Sequence, residues 1–380
     1  MKTRCFRLIV VLFCATLVAF SGCGTSSTDG GADGTAASGK VREFCKVSYD
    51  PTRELYKEYN QLFAEHWKEK TGETLEIEAS HAGSGAQSRS VRSGKEADVV
   101  TLALSFDIDD LASERGGKPG LLKADWQKAF PYNSCPYVST IVILVRKGNP
   151  KNIKDWNDLA NPDVKVITPN PKTSGGARWN YLALWAYALD KSLSDIGGLD
   201  AMKEPEKNAD RIAKAEEDAY AFTKQIFTNA VNQGMPTGAR DATDAFVKQG
   251  TGDAFLAWEN EACLSQKVMA DQGFEIVVPS VSMRCEPPVA IVDTVVERRG
   301  TRDIAEEYLN YLYTPEMQDV IAKHYYRPSV PESAEKHRAE FPECRLVGID
   351  EIFGGWVAAQ RKHFNSDGVF DKMLTEIATK

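Results

Sequence analysis

Thr173-Ser174-Gly175-Gly176, two hydroxyls followed by two glycines, is the part of this chain best suited to hold a ligand. It lies in residues 169–180, after a β-like run at 164–168 and before a helical run with Leu182, Trp185, Ala186 and Leu189 on one face. Small and hydroxyl residues at a helix N-terminus leave backbone N–H groups uncovered beside the positive dipole end, which favours an anion. Ordinary capping by Ser174, with the glycines making a tight turn, uses the same residues. The device recurs. Residues 47–54 join a strand to a helix carrying Leu55, Tyr59, Leu62, Phe63 and Trp67, with Asp50 at the N-cap, Pro51 at the first helical position and Gly72 near the stop. Residues 75–79 alternate as a strand, and residues 80–87, which include His81, Gly83 and Ser84, lead into a further helix. Residues 236–243, including Gly238, Ala239 and Arg240, precede a helix holding Ala245, Phe246 and Gln249. Four such junctions, each letting backbone approach a ligand closely, point to one anion site built from several helices.

Length and composition allow one two-lobed protein or two ordinary domains, with ample core for either. The formal net charge of −8 argues against a nucleic-acid binder and does not itself attract an anion, so local donors must outweigh the global field.

The junctions above, with Ala97-Asp98-Val99-Val100-Thr101-Leu102-Ala103-Leu104 and Ala257-Trp258-Glu259-Asn260-Glu261-Ala262, resemble the bacterial sulfate-binding proteins. These are extracytoplasmic substrate-binding subunits of sulfate/thiosulfate ABC transporters. Residues 308–315, Tyr325-Tyr326-Arg327-Pro328 and residues 349–356 match too, so the resemblance covers about residues 44 to 373. It implies an α/β, two-lobed periplasmic-binding-protein type II fold with the ligand between the lobes. Residues 44–138 plus about 282–380 would form the first lobe with the C-terminal helices, and 139–281 the second. Residues 137–145 would be one crossover strand and 276–296 the return path; residues 190–219 read as a charged helical insertion on the surface of the second lobe.

The resemblance also implies a ligand set. Asp50 gives its N–H, Ser84 its N–H and hydroxyl, Ser174 its hydroxyl, Gly175, Gly176 and Ala239 their amides, and Trp258 its indole N–H. Every member donates. Sulfate is a dianion with no proton to offer, whereas hydrogen phosphate keeps an O–H that an all-donor site leaves unpaired, at roughly 1–3 kcal/mol. His81, Arg178, Arg240 and Glu259 stand near these residues in sequence, with either support of the site or packing and solvation open to them. Ala82 replaces a glycine expected beside Gly83. Neither cofactor nor metal is implied, and a monomer suits lobe closure against a transporter's permease and ATPase.

The N-terminus reads as a targeting segment. Lys2, Arg4 and Arg7 precede an apolar run from Leu8 to Phe20, too short to span comfortably, and Phe20-Ser21-Gly22-Cys23 resembles a lipoprotein cleavage box, with Phe20 where Leu is usual. Residues 1–22 are then a signal peptide, Cys23 the lipidated residue, and 23–43 a flexible tether. Its Gly/Ser/Thr/Ala-rich part would reach roughly 20–25 Å. Such a protein is exported to the periplasm or cell surface and meets the membrane only through its lipid. Gly34-x4-Gly39-Lys40 mimics a phosphate loop by chance, since Val41 stands where Ser or Thr should ligand magnesium. Cys45, Cys135, Cys263, Cys285 and Cys344 remain as mostly buried thiols, with one disulfide possible.

Other readings stay open. Thiosulfate differs by one larger sulfur, molybdate and tungstate by longer bonds, and phosphate would need an acceptor that Glu259 or Asp50 could supply. A serine hydrolase would use Ser174 or Ser84, but no G-x-S-x-G setting or evident His-Asp pair accompanies them. A structural surface lipoprotein would keep the fold and lose the ligand.

Overall fold

The computed structural model describes residues 41–379; the expected signal peptide, the expected lipidation site Cys23, the phosphate-loop mimic and most of the expected tether lie outside them. Twelve strands follow in chain order: β1 (Val41–Tyr49), β2 (Thr74–Ala82), β3 (Val99–Thr101), β4 (Tyr137–Val138), β5 (Ile141–Val145), β6 (Val166–Ile167), β7 (Ala254–Trp258), β8 (Glu275–Val277), β9 (Val281–Met283), β10 (Val289–Ile291), β11 (Arg327–Pro328) and β12 (Arg345–Val347). Two four-stranded sheets organise two lobes, in the orders β10-β3-β1-β2 and β6-β7-β5-β8. In the first, β1 runs parallel to β2 and β3, and β10 closes the edge antiparallel. In the second, β7 runs parallel to β6 and antiparallel to β5, which is also antiparallel to β8.

Strand alternation sends each sheet's apolar residues into two layers. Val99 and Val289 face a cluster with Phe44, Tyr59 and Tyr308, while Val100 and Ala290 face another with Ile108 and Trp126. In the second lobe Ile141, Ile143 and Val145 join Trp179 and Trp185, whereas Val142 and Leu144 meet Phe246 and Phe255. Two strand pairs stitch the crossings between lobes, β4 with β11 and β9 with β12. Among the described residues no helix is long and apolar enough to cross a membrane.

Several sequence expectations need correction. Residues 41–43, given to the tether, open β1, where Arg42 bonds Asp303 at 2.7 Å. The single crossover strand over 137–145 is two, interrupted at Ser139 and Thr140: Ser139 exchanges both backbone hydrogen bonds with Cys285, and the Thr140 carbonyl accepts from Glu259 N–H. The return path is stepped, since β8 belongs to the second sheet. The C-terminal helices, assigned with 282–380 to the first lobe, instead pack Trp356, Phe364, Phe370 and Met373 against Trp179, Tyr181 and Phe227 of the second. Their aromatic face covers a helix too apolar to stand in water. The supposed surface insertion buries Leu193, Leu199, Ala215 and Ala219 in that same core. All five described cysteines are free thiols.

Candidate functional site

Every residue of the implied ligand set stands at the start of a helical segment. Ser174 caps the helix Gly175–Ser192. Ser84 is the first residue of Ser84–Arg92, Ala239 of Ala239–Val247, and Trp258 ends β7 as N-cap of Glu259–Val268. Asp50 is not the N-cap expected: Tyr49 takes that place, and Asp50 opens a 3₁₀ turn, Asp50–Thr52, that runs into the helix Arg53–Thr71. Pro51 sets this tighter entry by fixing its φ. First-turn amides have no intrahelical acceptor, so each start offers backbone donors.

The lobes meet where these starts converge. A Cβ added to Gly175 would stand 2.9 Å from Ser84 Cβ, and one on Gly176 would stand 2.9 Å from Trp258 Nε1. Only glycine permits both approaches. On Gly238 a Cβ would lie 3.5 Å from Asp50 Oδ2, which places the Ala239 start against the Asp50 turn. Three bonds hold the lobes together around this point: Trp179 Nε1 donates to the Ala103 carbonyl at 2.9 Å, Asn260 Nδ2 to the Pro51 carbonyl at 3.0 Å, and Arg240 pairs with Glu54 at 3.0 Å. The cleft is closed.

The two serines differ. Ser174 Oγ accepts from Ala177 N–H at 3.3 Å, which leaves its own proton to donate. Ser84 Oγ accepts from Ala103 N–H at 3.0 Å and donates to Asp107 Oδ2 at 2.5 Å, so its hydroxyl proton, expected to face a ligand, is taken. The Trp258 indole is 2% exposed, lies 5.4 Å from the Tyr49 ring, and its N–H makes only a long 3.4 Å contact with the Gly176 carbonyl.

The charged neighbours are paired. Arg178, whose solvated role had stayed open, is buried: Nε donates to the Pro171 carbonyl at 3.2 Å and Nη1 stands 3.7 Å from Asp107 Oδ1. Arg240 divides between Glu54 and Glu261. Glu259 is held by Arg327 through two 2.7 Å bonds and is thereby removed as a ready acceptor. Burial raises the Asp50 carboxyl, with Arg53 at 3.6 Å opposing. Burial, then the charges of Lys46, Arg53 and Arg240, push His81 down to about 3, so the ring is neutral near pH 7; its Nδ1 is buried without a partner. Neither serine bonds a histidine. Among the described residues no cluster of three or more His, Cys, Asp or Glu could hold a metal. A cavity of about 760 Å³ beside Arg327, Phe341 and Cys344 includes none of these donors. Sequence reasoning missed Asp107, which acts through tertiary contacts that no local spacing announces; Ala103, Trp179 and Asn260 sat inside quoted segments with their contacts unremarked.

Comparison with known proteins agrees with this architecture. The model of the bacterial extracellular solute-binding protein family matches residues 48–327. The sulfate-binding protein of Escherichia coli (strain K12) is 49% identical over 339 residues, covering 89% of this chain and 95% of the relative. The thiosulfate-binding protein of Pseudomonas aeruginosa is 42% identical over 329 residues, 87% of this chain and 91% of the relative. Among solved structures, the sulfate-binding protein SubI from Mycobacterium tuberculosis H37Rv superposes with a TM-score of 0.70 at 29% identity, covering 85% of this chain and 99% of that one. With its two α/β lobes and a cleft rimmed by helix starts, this chain belongs to the bacterial extracellular solute-binding protein family.

Proposed function

We propose that the protein captures sulfate outside the cytoplasm and delivers it to the permease and ATPase of an ABC transporter. The observation that carries this reading is the convergence of five helical starts from both lobes, forced together by Gly175 against Ser84 and Gly176 against Trp258. The dianion would accept from the amides of Asp50, Ser84, Gly175, Gly176 and Ala239, the Ser174 hydroxyl and the Trp258 indole. Hydrogen bonds to a charged partner contribute roughly 1.5–3 kcal/mol each, so this set suffices for micromolar binding after ordering costs. Hydrogen phosphate is disfavoured because Glu259, one of its two candidate acceptors, is engaged by Arg327, and Asp50, the other, faces Arg53 at 3.6 Å. The serine environments support binding rather than catalysis. Export, lipidation at Cys23 and a monomeric state complete the proposal; Cys23→Ala should move the protein from the membrane to the soluble fraction.

Calorimetric titration of the purified, sulfate-free protein with sulfate, thiosulfate, molybdate and phosphate tests it. Tight 1:1 sulfate binding with weak phosphate is expected, and Trp258→Phe should weaken sulfate by about 1.5–3 kcal/mol. Tight binding of phosphate, or an unchanged affinity in Trp258→Phe, would remove the donor site from consideration. Thiosulfate is the second reading, favoured by the relative of that name at 42% identity; a tighter thiosulfate isotherm would select it.

A further inference from the structure

Hydrogen bonding does little to aim the Trp258 indole. Its N–H makes one long contact of 3.4 Å, and its ring leans on Tyr49 at 5.4 Å. Packing in the second-lobe core confines the ring, but the direction in which it leaves the backbone is set where the chain quits β7 and enters the helix Glu259–Val268. That turn falls between two residues: Trp258 is still extended, at φ −63° and ψ 142°, and Glu259 is already helical. On the strand side Trp258 is fixed by pairing with Ile141. On the helix side everything depends on Glu259.

Glu259 is pinned three times. Its N–H donates to the Thr140 carbonyl at 2.9 Å, and its carboxylate accepts from Arg327 Nε and Nη2, each at 2.7 Å. Such a planar fork fits in one orientation. Arg327 is itself held: Nη2 also donates to the Pro342 carbonyl at 2.9 Å, the guanidinium lies 5.3 Å from the centre of the Phe341 ring, and its backbone pairs with Val138. Val138 and Thr140 lie in one crossing between the lobes, so all three anchors come from the joint. An ordinary helix start needs none of this, since a first-turn glutamate is favoured by the dipole with its carboxylate in water. Here the Glu259 side chain is only 1% exposed. A buried pair adds little stability and can instead fix geometry. It also cancels a carboxylate that, one residue from a donor, would repel a dianion.

We propose that Arg327 is a positioning residue for the bound oxyanion, acting through Glu259 to fix the strand-to-helix turn that aims the Trp258 indole. It is not itself one of the donors, and the proposal rests on the oxyanion reading above. Because the anchors belong to the crossing, the aim of the indole follows the joint between the lobes as well as the lobe that carries it.

The test is sulfate calorimetry on the full chain, run as a double-mutant cycle with Trp258→Phe. Arg327→Lys keeps the charge and loses the fork. Glu259→Gln combined with Arg327→Met removes both charges together and leaves none buried without a partner. Thermal unfolding confirms that each variant is folded. With Trp258 in place, both changes should weaken sulfate about tenfold. In the Trp258→Phe background the same changes should cost less than about twofold, because the donor they aim is already gone. An equal loss in the two backgrounds would mean that the pair supports the lobe at large, and would overturn the proposal. Wild-type affinity in both variants would also overturn it. If wild type binds no oxyanion at all, the functional reading fails and takes this inference with it.

Discussion

Two long helices bring their N-terminal ends to the cleft, and they are embedded differently. Arg53–Thr71 buries one stripe, Leu55, Tyr56, Tyr59, Phe63 and Trp67, and turns Glu and Lys side chains to water. Gly175–Ser192 is buried without interruption from Gly175 to Leu189. Phe227, Met283, Trp356, Phe364 and Phe370 sheathe it from segments far apart in the chain. The second lobe therefore presents its two glycine amides and the Ser174 hydroxyl from a helix that cannot tilt without opening a core, while the first lobe presents donors from a helix with one free side. A fixed set of donors binds without an ordering cost, so the second lobe should dominate affinity.

The largest effect expected from this contrast is on stability. Trp356→Ala removes the edge-to-face partner of Trp179, whose ring lies 4.6 Å away, and should cost about 3–5 kcal/mol in denaturant unfolding. A loss below 1 kcal/mol would mean the sheath is ornamental. Next comes pH. His363, fully buried and bonded to Tyr181 through Nδ1 at 3.0 Å, is pushed down to about 3 by burial, then by Lys362. The folded ring stays neutral while the unfolded one gains a proton as pH falls through its ordinary value. Its contribution is therefore whole above that value and is lost toward the folded one. The protein should lose about 2 kcal/mol from His363 between pH 6.5 and 5. Denaturation curves of His363→Phe at the two pH values should show a shallower loss; an equal loss would sever the link to the second-lobe core. Smallest is the difference between serines. Ser174→Ala should weaken sulfate by about 1 kcal/mol more than Ser84→Ala, because the Ser84 proton already serves Asp107. Equal isotherms would mean that the Ser84 hydroxyl turns to the ligand.

What the sequence made legible follows the same division. The helical starts at Ser84, Gly175 and Ala239 could be read because capping and close approach restrict residue type locally. The outer helix showed its stripe, and Gly72 ends it in the left-handed conformation at φ 76°. The break at Ser139 and Thr140 was illegible, since residues 137–145 are apolar on both sides of it and the cause is an isolated bridge to Cys285, far along the chain. The placement of Trp356 and Phe370 was lost for a like reason: an aromatic face states that it will be buried, never against which lobe. The burial of Lys46 on β1, where it is 1% exposed, gave no signal at all, because lysine on a strand ordinarily faces water.

The second sheet is built from one stretch of chain, and the first is not. β10, which closes the edge of the first sheet, is separated from β3 by the entire second lobe, and the covering of the second lobe's central helix is completed by the last helices. Such long-range closures are slow, and here they await the end of synthesis. If the chain is exported as it is made, as proposed above, it would cross the membrane before either lobe could be completed, and the order of the elements would keep it threadable until then.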